Sequence, residues 1–184
     1  MRRPQILMFV LIVCLVPLVA ACSPAVHATA KPTPTTPEEV AATKVAQSVI
    51  AQLRANDIPI EQTATYGPNT DPDHLLGRTS QYIGKIAFHD ARVPSPTKLN
   101  ALDVVDGGCV EVFANMADAI GAENYINQMN QTGALFFTEY DYFNGVILLR
   151  LSSQLPPSDA QAYKAVFMGM PKITKVTTTP TPQP

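Results

Sequence analysis

Tryptophan is absent from this 184-residue chain, cysteine occurs three times, and no stripe of lysines and arginines appears anywhere along it. Each absence removes a class of function. Without a basic patch to neutralise phosphates, nucleic-acid binding is set aside. There is no Gly-rich phosphate loop, G-x-S-x-G elbow, H-E-x-x-H helix or paired C-x-x-C. The common nucleotide-binding, serine-hydrolase and zinc frameworks therefore have nothing to rest on, and no metal or cofactor is expected. Cys14 and Cys22 lie near the amino end, which leaves Cys109 alone in the body of the chain. A lone cysteine makes no internal disulfide, so the fold must stand on its core. With no tryptophan beside them, Tyr66, Tyr82, Tyr125, Tyr140 and Tyr142 read as packing residues rather than as a sugar platform.

Long apolar runs are also scarce. The one present, Ile6 to Val19, follows Arg2 and Arg3 and is interrupted only by Pro17 near its end. A positive start and a short apolar stretch match an export signal better than a membrane span, which needs about 20 residues. Leu18-Val19-Ala20-Ala21-Cys22 then resembles the lipobox of bacterial lipoproteins. That resemblance implies a diacylglycerol thioether-linked to Cys22, palmitate-type acylation and cleavage after Ala21. It also implies a location on the outer side of the cell membrane, with the lipid as membrane partner. The competing reading is simple secretion with cleavage after Ala28-Thr29-Ala30, which lies much farther from the apolar run.

The sequence thus divides into a leader over 1–21, a Pro/Thr-rich tether over 22–37, one globular domain over 38–171 and a Thr/Pro tail over 172–184. A Pro-rich segment extends about 3.1 Å per residue, so the tether spans roughly 40 Å. Arg2 and Arg3 belong to the leader, which leaves 11 Lys and Arg against 15 Asp and Glu, a mature net charge of about −4.

Within the domain, Thr36-Pro37-Glu38-Glu39 forms a capping box with Pro at the first helical position, and Val45, Ala46, Val49, Ile50 and Leu53 follow at helical spacing. A helix is expected over 37–55. Residues 57–80 carry no periodic pattern and read as a loop. Strands are expected over 82–89, with Lys85 and His89 on one face, and over 108–113. Asn115 caps a helix to about 131, turning Ala119, Ile120, Ile126 and Met129 inward. Residues 135–143 and 146–152 flank Asn144-Gly145 and predict a hairpin pairing Tyr142 with Ile147, Tyr140 with Leu149 and Glu139 with Arg150. Its core face carries Phe136, Tyr140, Tyr142, Ile147, Leu149 and Leu151; its solvent face carries Glu139, Asp141, Arg150 and Ser152. A last helix begins near Pro157 and packs Tyr163, Val166, Phe167 and Met170. The order α-ββα-ββα predicts an α+β fold, a mostly antiparallel sheet of about four strands with helices on one face.

Chemistry-bearing groups are sparse. Asp71, Asp73 and His74 lie together in the first loop but lack a clear fourth ligand, and D-P-D is ordinary turn sequence. Cys109 and His89 fall on the same expected face, where a thiol–imidazole pair is conceivable. Against that stands the tendency of lone cysteines to pack as small hydrophobes. Glu111, Glu139, Asp141 and Arg150 are placed to line one sheet face, as cross-strand ion pairs or as a small charged site. The candidate ligand-binding residues are accordingly His74, Arg78, His89, Glu111, Glu139 and Arg150, with Cys22 as lipidation site and no catalytic residue.

The strings D-P-D-H-L-L-G-R, G-G-C-V-E-V-F and E-Y-D-Y-F-N-G-V-I-L-L-R-L-S, within about residues 66–167, resemble a group of uncharacterised bacterial lipoproteins. The resemblance implies localisation and no activity. The expected function is a non-catalytic, membrane-tethered binding or accessory module with a protein or small-molecule partner. The alternative is an extracytoplasmic hydrolase using the loops at 66–80 and 90–106.

Overall fold

The computed structural model describes residues 36–94, 101–131 and 139–178, all within one compact unit over Lys31–Pro184. The expected leader, the tether up to residue 35 and the tail beyond residue 178 lie outside the described residues. So do residues 132–138, where the first part of the hairpin was expected.

Helix α1, Pro37–Ala55, starts as its sequence dictates. The Thr36 hydroxyl accepts from the Glu39 backbone N–H, and the Glu39 carboxylate accepts from that of Thr36, both at 3.1 Å. Such a cap is worth about 1 kcal/mol. Ala42, Ala46, Val49, Ile50 and Leu53 form the buried stripe.

Five strands follow: β1 (Ile60–Tyr66), β2 (Tyr82–Asp90), β3 (Gly107–Phe113), β4 (Glu139–Asn144) and β5 (Ile147–Ser152). They form one antiparallel sheet in the order β1-β2-β3-β5-β4. The fold is α+β with an open sheet. Its fifth strand is β1, which lies where a structureless loop was expected. Ile-Glu-Gln-Thr-Ala-Thr-Tyr pairs along one edge only and leaves Glu61, Gln62 and Thr63 exposed, so it shows no apolar alternation to read.

Helices α1 and α3 (Pro157–Met168) cover one face of the sheet. Gly84 of β2 lets α1 approach: a Cβ there would meet the Ala42 backbone at 2.9 Å. Farther along β2, Phe88 stacks on Tyr163 of α3 with ring centroids 5.7 Å apart, an arrangement worth about 1 kcal/mol beyond its buried area. Helix α2 (Met116–Gln131) is capped by the Asn115 side chain, as expected. It buries Ala119 but leaves Ile120, which was expected inward, 46% exposed.

The hairpin differs from expectation in its turn. Asn144 pairs with Ile147, so Gly145 and Val146 form the connection. Tyr142 therefore faces Leu149, Asp141 faces Arg150, Tyr140 faces Leu151 and Glu139 faces Ser152. The pairing moves by two residues, an even number, so every side chain keeps its expected face. Tertiary contacts override the local turn preference. The Asn144 amide donates to the carbonyls of Phe167 and Met170, at 3.0 and 3.1 Å, closing the end of α3. Val146 is fully buried, and its N–H donates to the Ile173 carbonyl at 2.8 Å. Gly145, at φ +69°, lies so close to Ile173 that no Cβ fits. Asn144→Ala leaves two helix-end carbonyls without their donor. It is expected to cost about 1–3 kcal/mol in urea unfolding; a loss below about 0.5 kcal/mol would show that the Asn144 clamp is incidental.

Candidate functional site

The second face of the sheet, opposite the helices, carries most of the charge. Strand alternation puts Lys85 and His89 of β2, Cys109 and Glu111 of β3, Arg150 and Ser152 of β5, and Glu139 and Asp141 of β4 on this side. It was expected to be wet. Instead, Lys85, His89, Cys109, Glu111 and Ser152 are buried, and Glu139, Asp141 and Arg150 are half-buried. The two long loops cause the difference by packing down on the sheet. Tyr66 donates its hydroxyl to the Leu102 carbonyl at 2.5 Å, and Ser152 donates to the Val105 carbonyl at 3.0 Å. Leu76 of the first loop and Val93, Leu102 and Val104 of the second are themselves buried.

Lys85 is the centre of this face. Its side chain is fully buried; Asp73 accepts a hydrogen bond from Nζ, Asp71 Oδ1 is 3.2 Å away and Glu111 Oε1 is 3.9 Å away. The rings of Tyr82 and Tyr66 lie 5.4 and 5.8 Å from Nζ. Burial works against the ammonium, but the Glu111 and Asp73 carboxylates outweigh it and hold the Lys85 pKa above its ordinary value. Asp71 is pulled the other way. Burial again opposes its charge, yet the Tyr82 hydroxyl at 2.7 Å and the backbone N–H groups of Leu75 and Leu76 keep its carboxyl below the usual range. Asp71 and Asp73, weighed in the sequence as metal ligands, thus clamp a lysine. Among the described residues no group of three or more His, Cys, Asp or Glu is arranged to hold a metal.

A second cation continues the network. Arg150 contacts Glu111 Oε1 at 3.1 Å and Glu139 Oε2 at 2.8 Å, and Asp141 Oδ1 lies 3.8 Å away. The expected Glu139–Arg150 contact therefore forms, but diagonally across the hairpin. Glu111, pushed up by burial, links the two cations. Cys109 lies beside it, Sγ to Oε1 3.6 Å, and burial raises this thiol well above its ordinary pKa. A nucleophilic thiol needs the reverse. His89, the base considered for Cys109, instead faces the Val93 carbonyl and Glu61, each at 3.2 Å.

Of the sequence candidates, Glu111, Glu139 and Arg150 come together. His89 is buried at the far end of β2, while His74, at φ +55°, and Arg78 are exposed in the β1–β2 loop. Lys85 is not among the sequence candidates, Asp71 is weighed there only as a metal ligand with Asp73 and His74, and Tyr82 is read as a packing residue. Their link joins a strand to a loop without periodicity, so no spacing pattern announces it.

A groove lies on the helix-covered side, between α1 and the end of α3, with a volume of about 760 Å³. Lys44, Val45, Ser48, Val49, Gln52 and Asn56 form its α1 wall; Ile147 of β5, Ala165, Val166, Gly169, Met170, Pro171 and Ile173 complete it. Its volume falls in the range of about 300–1,000 Å³ usual for small-molecule sites. No sequence pattern marks it, because the separation of two helices is a property of packing. Set against known proteins, the chain matches no family model, no curated protein and no solved structure.

Asp141 provides a test of the charged face. Burial raises its pKa from 3.8 to about 6, despite Arg150. The native state keeps this proton to about pH 6, whereas the unfolded chain releases it near 3.8. Asp141 therefore makes stability fall as pH rises from about 4 to 6. Asp141→Asn removes this dependence: it is expected to stabilise the domain by about 1–3 kcal/mol at pH 7.5 and leave it unchanged at pH 3.5. Urea titrations at both pH values measure the difference, and equal effects at the two would refute the assignment.

Proposed function

We propose that this chain is a lipid-anchored extracytoplasmic binding module. Cys22 carries the anchor, the Pro/Thr-rich segment after it is the spacer, and the domain takes a small molecule in the groove between α1 and α3 without chemical turnover. The separation of charge from cavity carries the reading. The clustered acids and bases lie on the loop-covered face, tied to one another, whereas the groove opens on the opposite side of the sheet. Lys44 is the one ionisable residue lining it. Ser48 supplies its one hydroxyl, and apart from Lys44 no acid or base lines the groove to activate it.

The hydrolase alternative draws less support. It needs Glu111, Glu139 or Arg150 to meet substrate beneath the loops at 66–80 and 90–106. Glu111 is buried against Lys85 and Arg150, and the described parts of both loops pack onto the sheet. Among the described residues no helix is long and apolar enough to cross a membrane. Attachment in this reading falls to the lipid on Cys22, from which the spacer gives the domain roughly 40 Å of reach.

Cys22→Ala tests the anchor. In a host with lipoprotein processing, the wild type is expected in the membrane fraction with an acylated amino-terminal cysteine. The variant is expected in the soluble fraction or as an uncleaved precursor. A wild-type mature chain that begins at Lys31 by mass spectrometry would overturn this reading in favour of secretion.

A further inference from the structure

The groove carries information about its occupant. Its α1 wall runs from Lys44 to Asn56, about 18 Å at 1.5 Å per residue. Val45, Val49, Ile147, Val166, Met170 and Ile173 present an apolar interior. Polar groups occur mainly along α1, where Ser48, Gln52 and Asn56 are exposed at the rim. A sugar or nucleotide needs several convergent polar groups in its site, whereas Ser48, Gln52 and Asn56 stand exposed in one row along α1. A ligand with a long apolar portion suits an apolar wall of that length.

Charge selects further. The chain as a whole is acidic, yet the one charged group lining the groove is the Lys44 ammonium, at one end of it. Among the described residues no carboxylate pairs with Lys44. A cation without a carboxylate partner among the described residues, beside an apolar wall, is complementary to an anion attached to an apolar tail.

We propose that this groove holds a single-chain amphiphile, one acyl chain lying along α1 with an anionic headgroup at Lys44. The proposal rests on the reading of the groove as the binding site. Carboxylate and phosphate heads share this chemistry, so a free fatty acid and a lysophospholipid are the two sources to separate.

The experiment uses the mature polypeptide, residues 23–184, made without its lipid and purified without detergent. Palmitate, palmitoyl lysophosphatidylglycerol and neutral monopalmitoylglycerol are titrated calorimetrically below their micellar concentrations. One saturable site is expected, and the anionic probe that binds more tightly identifies the source. Lys44→Ala is expected to weaken the anionic probes on the order of two- to fivefold, the scale of one exposed ion pair, and to leave monopalmitoylglycerol unchanged. Val45→Asp puts a carboxylate into the half-buried wall and is expected to abolish binding of all three, while Val45→Leu retains it. Circular dichroism establishes that each variant is folded. Absence of saturable binding to the wild type, or binding undiminished in folded Val45→Asp, would overturn the proposal. Native mass spectrometry of the same preparations separates the two levels of failure. A non-lipid adduct or bound peptide on the wild type, lost in Val45→Asp, refutes the amphiphile but keeps the groove as a binding site. No adduct and no titration overturns both.

Discussion

A lysine ammonium buried against a β-sheet needs negative charge around it, and that requirement organises one whole side of this domain. Lys85 projects from β2 beneath the β1–β2 loop, and the loop supplies Asp71 and Asp73 to meet it. Those contacts fix a segment that has no regular structure and few apolar residues of its own. Asp71 is itself set by Tyr82 and two backbone N–H groups, so loop, strand and charge lock together. Glu111 then passes the arrangement to Arg150, and Arg150 to Glu139 on the outer strand. Cations and carboxylates thus tie the loop to β2, β3, β5 and β4. The same closure engages these groups with one another: Glu111 is held between buried Lys85 and half-buried Arg150, beside a thiol whose pKa burial raises.

The two faces of the sheet solve different problems. On the helix side, apolar stripes on α1 and α3 meet Ile86, Phe88, Val110, Leu149 and Leu151, and burial is the driving term. On the loop side, backbone and charged groups must be satisfied as they leave water, and hydrogen bonds and ion pairs do so. The helix side is where a cavity survives, because α1 and α3 part toward the end of α3. A ligand there would meet apolar side chains, the polar row of α1 and one lysine, on the side of the sheet away from the ionic network.

Much of this fold is legible in the sequence. The capping box and helical spacing locate α1 at its observed bounds, Asn115 marks the start of α2, and alternation finds β2, β3 and β5 with the correct faces. Three features resist such reading, each for a physical reason. Strand β1 is an exposed edge whose side chains carry no apolar alternation. The hairpin turn is displaced because Asn144 is engaged by the end of α3 and Val146 is drawn into the core, contacts between distant segments. The charged face reads as solvated because the loops that bury it have no period; Glu111, Glu139 and Arg150 were recognisable as a group, but their coupling to Lys85 was not. The groove has no linear signature at all.

Lys85 and its carboxylates are structural: they hold the β1–β2 loop to the sheet. The most direct measurement is the equilibrium urea unfolding of Lys85→Met at neutral pH. Methionine keeps the length and apolar stem but strands Asp71, Asp73 and Glu111 without their shared cation. A loss of about 3–5 kcal/mol is expected, the usual consequence of removing one partner from a buried ionic cluster. A loss below about 1 kcal/mol, with the native fold retained, would contradict this role and return those carboxylates to the list of groups free to act.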